Sequence, residues 1–114
     1  MNNVIQNCLI ILNYNDAKSC INLINEVESY NNIEKIILVD NCSTDDSFDI
    51  LSLHYLQNEK VDVLQAPNNG GYASGNNYGA FYAIHNYNPY IITIANPDVS
   101  FEENTLNKIL NVYK

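Results

Sequence analysis

The chain has no arginine and only five lysines against 13 acidic residues, giving a formal charge of −8. That balance excludes nucleic-acid binding, which needs a basic footprint. It also excludes an anionic membrane surface as a direct partner. Any anionic ligand would have to be met by backbone N–H groups, helix N-termini or a metal ion. The longest apolar runs, 8–12 and 91–95, fall far short of the roughly 20 residues that cross a bilayer. The first residues lack the basic stretch and cleavage pattern of a signal peptide. The expectation is a soluble, cytoplasmic protein, with peripheral membrane association open only to a longer, full-length form. Cysteine is scarce as well. Cys8, Cys20 and Cys42 form no CxxC pair, and an odd number makes a poor disulfide framework. Cys8 in an apolar run and Cys20 on a helical stripe read as small buried residues.

What is present suits one domain: 114 residues, 46% of them hydrophobic. Asparagine is abundant, as AT-rich coding would make it, so only asparagines inside patterned loops carry an argument. Residues 5–12 form a continuous apolar, β-branched run that suits a strand buried on both faces. Over 16–29, Ala17, Cys20, Ile21, Ile24 and Val27 recur at three and four, a helix stripe with Asn15 or Asp16 as its N-cap. A second strand is expected over 33–39 and a second helix over 47–56, with Asp45 and Asp46 near its positive end. Strands over 61–65 and 90–95 flank a third helix over 71–86, and a last helix is expected over 105–113. Helix-length connections between buried strands predict an α/β domain over residues 1–114. Its sheet is open, Rossmann-like and mainly parallel, with helices on both faces.

Ligands bind such sheets outside the carboxyl ends of the strands, so the four strand-end loops matter most. Asp40 follows the second strand directly. A carboxylate there suits hydrogen bonds from a nucleobase or ribose, and equally a cap or loop-ordering role. Ser43-Thr44-Asp45-Asp46 reads as a helix N-cap with acids in the first turn. The stretch 68–79 is not a P-loop, because no Lys-Ser or Lys-Thr pair follows its glycines, and it is not GxGxxG. Gly71, Gly75 and Gly79 recur every four residues. Each costs up to about 1 kcal/mol inside a helix, so their common face is expected to approach the sheet or a ligand closely. Asn69, Gly70 and Gly71 offer free N–H groups at the helix start. Pro97 stiffens the turn Asn96-Pro97-Asp98 and holds Asp98 at the sheet edge, making Asp98 the best metal-ligand candidate. His54 and His85 lie on helices away from these loops, and no Ser/His/Asp or Cys/His constellation occurs.

Four blocks, each after an expected strand and in this order, resemble the nucleotide-binding half of inverting family 2 glycosyltransferases with the GT-A fold, closest to the rhamnosyltransferase-like members. They are 12–15 (Leu-Asn-Tyr-Asn), 39–45 (Val-Asp-Asn-Cys-Ser-Thr-Asp), 69–79 (Asn-Gly-Gly-Tyr-Ala-Ser-Gly-Asn-Asn-Tyr-Gly) and 96–99 (Asn-Pro-Asp-Val). The resemblance implies that Asn13, Tyr14 and Asn15 line a nucleobase pocket and that Asp40 bonds the pyrimidine. It places Asn69, Gly70 and Gly71 by the ribose and diphosphate, with Asn76 in the same nucleotide-binding set. Asp98 matches the last aspartate of the DxD motif, which holds Mg²⁺ or Mn²⁺ on the diphosphate. Asn96 stands where the first aspartate often is, a departure that bears on the ribose and sugar contacts.

The implied reaction transfers a sugar, with inversion, from a UDP- or dTDP-linked donor to a hydroxyl of a glycan or lipid-linked acceptor. The implied setting is polysaccharide or cell-surface glycan synthesis. No residue here matches the family's general base, which lies in a later, acceptor-binding half. The chain is therefore expected to be an incomplete, inactive fragment that self-associates through uncovered apolar surface. A phospho-acceptor receiver domain has similar length and alternation. It needs paired acids after the first strand and a lysine after a late one, and neither is present. A non-catalytic nucleotide-binding or interaction module remains the alternative.

Overall fold

The computed structural model describes residues 5–97. Four strands and three helices alternate: β1 (Asn7–Asn13), α1 (Ala17–Val27), β2 (Lys35–Asp40), α2 (Ser47–His54), β3 (Val61–Gln65), α3 (Tyr72–Tyr87) and β4 (Ile91–Ala95). Every pairing is parallel, and the sheet order is β3-β2-β1-β4. The expected alternation holds, and the sheet is wholly rather than mainly parallel among the described residues. The last expected helix, over 105–113, lies outside them.

The register fixes two cores. Leu9 and Ile11 of β1 pair with Ile36 and Leu38 of β2, and this face is covered by α1 and α2. Cys8, Ile10 and Leu12, with Ile37 and Val39, face α3 on the other side. The apolar run of β1 is continuous because both its faces are covered, and each fully buried Leu or Ile contributes about 2 kcal/mol. Burial pushes the Cys8 thiol up to about 11 and the Cys20 thiol up to about 12, so both remain protonated packing groups.

Boundaries differ from the sequence expectation where polar residues enter the sheet. β1 starts at Asn7, which is fully buried yet satisfied: its amide donates to Asn32 O and its Oδ1 accepts from Thr93 Oγ1. β2 runs through Asp40, which pairs with Asn13. In α1 the buried set is Ala17, Cys20, Leu23, Ile24 and Val27, with Ile21 only partly buried. Asp16 is its N-cap, accepting from Ser19 N–H. Asn88 ends α3 in the left-handed conformation, φ 47°, its N–H bonding back to Ala83 and Ile84 carbonyls.

Gly71 is a correction to the glycine pattern. It precedes α3 as its N-cap with φ 97°, so only Gly75 and Gly79 lie on the helix face. A Cβ on Gly79 would stand 2.9 Å from methyls of both Ile10 and Val39. The face therefore approaches the sheet. At the opposite end of the sheet, Tyr82 and Tyr87 of α3 both donate to Asp62 Oδ2, and Lys35 pairs with Asp62 Oδ1 at 3.1 Å. This cluster ties the far end of α3 to β3 and β2.

Candidate functional site

From β1 to β3 the chain steps steadily one way across the sheet, with α1 and α2 on one face. It then returns over the other face through α3 and sets β4 on the opposite side of β1. The β1/β4 boundary is therefore where strand order reverses, the place in an open parallel sheet where a crevice forms outside the carboxyl ends. A cleft of about 360 Å³ opens there, lined by Leu12, Tyr14 and Asp16 from the β1 end and by Asn96 and Pro97 from the β4 end.

Hydrogen bonds join the four strand-end loops in series. Between the first and second, Asn13 Nδ2 donates to Asp40 Oδ1 at 2.8 Å, and Asn13 accepts at its own Oδ1 from Asp16 N–H. Ser43 donates to Asp40 through both Oγ (2.6 Å) and N–H (3.0 Å), and its Oγ accepts from Asn15 N–H. Asn15 exchanges further bonds with Thr44 and accepts from Asp45 N–H. Between the second and third loops, Asn41 Nδ2 donates to Asn69 Oδ1 and Gly71 O, and Cys42 Sγ donates to Ala66 O. Between the third and fourth, Tyr72 Oη donates to Asn96 Oδ1. Two non-glycine residues of this rim, Asn15 (φ 55°) and Cys42 (φ 56°), adopt left-handed backbone. That conformation costs about 1–2 kcal/mol each and concentrates at sites where function fixes the chain.

The sequence-derived candidates among the described residues thus fall at this end of the sheet, with distinct surroundings. Tyr14 lines the cleft and is about half exposed. Asn13 and Asp40 are fully buried beneath the rim, and the geometry gives Asp40 a loop-ordering role. Asn15 spends its side chain on the 43–45 loop. Asn69 braces Gly71 N–H and Asn41, while Gly70 lies against Ser74. Gly71 opens α3, but its N–H, expected to be free, donates to Asn69 Oδ1. Asn76 is 5% exposed within α3, and its Oδ1 has no hydrogen-bond partner among the described residues. Asn96 lines the cleft. Asp98, the metal candidate, lies outside the described residues. Among those described, no three His, Cys, Asp or Glu side chains gather to hold a metal ion.

Three rim residues escaped the sequence reading. Ser43 was expected to cap α2. Asp46 is instead the N-cap, and the neighbouring Asp45 accepts from Ser47 N–H at 2.8 Å; the Ser47 side chain first, and this backbone bond second, hold the Asp45 carboxyl below its ordinary value. Asn41 and Tyr72 bridge loops that are distant in sequence. Their signal was position alone, one residue after a buried strand and one residue into a helix.

The family model for glycosyl transferase family 2 matches residues 8–114. The chain belongs to glycosyl transferase family 2. Glycosyltransferase GlyG of Streptococcus pneumoniae serotype 4 is 36% identical over 98 residues, covering 84% of this chain and 31% of that protein. The low-salt glycan biosynthesis hexosyltransferase Agl10 of Haloferax volcanii is 21% identical over 106 residues, 93% of this chain and 32% of that protein. Among solved structures, S. aureus TarS 1–349 in complex with UDP-GlcNAc superposes with a TM-score of 0.74 at 22% identity, over 94% of this chain and 30% of that one. The mannosyltransferase PcManGT from Pyrobaculum calidifontis, in complex with GDP-Man and Mn²⁺, gives 0.75 at 14% identity, over 96% of this chain and 32% of that one. The sheet is that of the GT-A fold, and the chain spans about a third of the length of these relatives.

Proposed function

We infer that this family 2 chain holds the nucleotide-sugar donor for a glycosyltransferase. The reaction moves a hexosyl or rhamnosyl unit, with inversion, from a UDP- or dTDP-linked donor to a hydroxyl of a glycan or lipid-linked acceptor. Its setting is polysaccharide or cell-surface glycan synthesis, in the cytoplasm. The observation that carries the reading is the cleft at the β1/β4 reversal, with all four strand-end loops joined around it. Ligand-bound relatives of the same fold, with UDP-GlcNAc in one and GDP-Man and Mn²⁺ in another, support it.

In this reading Tyr14 offers its ring to the nucleobase. Asn13, Asn15 and Asp40 act by holding the loop that carries Tyr14. Asn69, Gly70 and the first turn of α3 receive the diphosphate through backbone N–H groups, with Gly71 N–H held by Asn69 Oδ1 and Asn76 behind them. Lys35 and Lys60 sit at the opposite ends of the strands and bond Glu59 and Glu28 carbonyls, away from the rim. With no arginine in the chain, a bound cation is one source of positive charge for a diphosphate. Asp98, with the phosphates and water, is the residue that would hold Mg²⁺ or Mn²⁺, and a bound cation would neutralise charge on the leaving diphosphate.

Calorimetry with UDP and dTDP tests this. Binding is expected with Mn²⁺ and a loss of at least tenfold after chelation. Equal affinity without metal would count against the role of Asp98, and no binding of either nucleotide against the whole reading. No general base is assigned among the described residues, and this chain by itself is expected not to transfer sugar. A non-catalytic nucleotide-binding module is the second reading, and hydrolysis of a UDP-sugar by the chain would exclude it.

Phe81 and Ile84 of α3 are 64% and 51% exposed, and Ile94 of the edge strand β4 is 49% exposed. Self-association through this apolar surface is expected as a rise in scattering mass with concentration. A constant monomer mass at high concentration would contradict it.

A further inference from the structure

Tyr72 is the first residue of α3, and its ring is about half exposed. Burial of the core therefore does not dictate where its hydroxyl goes. The residue before it, Gly71, is fixed from two sides: its carbonyl accepts from Asn41 Nδ2 and its N–H donates to Asn69 Oδ1. From this anchored start the hydroxyl reaches across the rim to Asn96 Oδ1. In this bond Oδ1 is the acceptor, which leaves the Asn96 NH2 group turned away from Tyr72. With Oδ1 occupied, the NH2 group has no hydrogen-bond partner among the described residues, on a side chain that lines the cleft. An uncharged two-donor group at this place matters in a chain of net charge −8 without arginine.

We propose that Tyr72 is a positioning residue: by holding Asn96 Oδ1 it turns the Asn96 amide so that Nδ2 donates to an oxygen of the bound nucleotide. The proposal rests on the nucleotide-sugar reading and deepens it. The partner is a hydrogen-bond acceptor, a ribose hydroxyl or a phosphate oxygen. A carboxylate at position 96 could accept from Tyr72 equally well. It would offer the ligand no donor and would add negative charge beside a phosphate.

Tyr72→Phe keeps the ring and removes the hydroxyl. Titration of the whole chain with UDP at a fixed Mg²⁺ concentration is expected to weaken by about two- to tenfold, the range of one hydrogen bond. Asn96→Asp is expected to weaken it at least as much. The double variant is expected to be no worse than Asn96→Asp alone, because the two side chains act as one unit. The side-chain amide signals of Asn96, identified by their loss in Asn96→Asp, are expected to shift in Tyr72→Phe without ligand. A merely structural role in folding would not produce that shift while the melting curve stays unchanged. Parallel titration with inorganic pyrophosphate separates the two sources of acceptor. Weakening of both ligands assigns a phosphate oxygen, and weakening of UDP alone assigns a ribose hydroxyl. A Tyr72→Phe chain that binds UDP as tightly as the parent, or losses that simply add in the double variant, would overturn the proposal and leave the nucleotide-sugar reading standing. A parent chain that binds neither UDP nor dTDP overturns both.

Discussion

Asp40→Ala is expected to cost about 4 kcal/mol of folding stability, the combined loss of several bonds to one buried acceptor. The carboxylate is fully buried and accepts from Asn13 Nδ2, Ser43 Oγ and Ser43 N–H. Hydrogen bonds to a charged group contribute about 1.5–3 kcal/mol each, and truncation strands the buried Asn13 amide, while the part-buried Ser43 can turn to water. The three losses do not add fully, since Ser43 Oγ and Asn13 Nδ2 also touch each other at 3.3 Å. For a chain of this length the melting temperature should fall by roughly 20 °C. Asp40→Asn keeps the shape but turns an NH2 group toward donors, so it should lose about half as much. Urea unfolding followed by circular dichroism would measure both. A loss under about 1 kcal/mol for the alanine variant would mean that the carboxylate does not hold the rim together. The same variant should bind nucleotide poorly even where it is folded. Ser43 and Asn13 hold the loop bearing Tyr14, and Asp40 is their shared acceptor.

The sequence exposed the fold through features that are local. A strand covered on both faces reads as an unbroken apolar run, as in β1, and a helix covered on one side reads as a stripe, as in α1. Parallel topology follows from helix-length connections, and from topology alone the strand-end loops converge. The division of labour at the rim was not legible, because it depends on pairs far apart in the chain. In the sequence Asp40 is balanced between a ligand contact and a loop-ordering role, and only the fold shows that Asn13, 27 residues away, donates to it. Ser43 looked like a helix cap because Ser before acidic residues usually is one. The left-handed turn at Cys42 swings it back to Asp40 instead, and no residue type announces a left-handed cysteine. A spacing of four placed Gly71 with Gly75 and Gly79, although its positive φ is the property that needs glycine there.

Gly79→Val should lower stability by about 3 kcal/mol, at the upper end of what overpacking costs. Valine gains a few tenths of a kcal/mol over glycine in a helix, so propensity alone predicts a small stabilisation. Packing decides the sign. The first added carbon would already lie 2.9 Å from Ile10 Cγ2 and from Val39 Cγ2, before the two valine methyls are counted. Ile10 and Val39 are fully buried on the two central strands, and their β-branched side chains have little rotamer freedom with which to retreat. The helix itself must lift, opening a gap over Ala83 and moving Tyr72 away from Asn96. Gly75→Ala provides the contrast. Its Cβ would meet Leu12 Cδ1 at 2.5 Å, a closer approach, but to the far end of a flexible side chain that borders the cleft. Leu12 can swing outward, so this variant should lose less stability than Gly79→Val while losing more nucleotide affinity per unit of stability lost. Chemical denaturation and UDP titration on both variants would show the two effects separating. Gly79→Val as stable as the parent would mean that the helix does not rest on the sheet through its glycines.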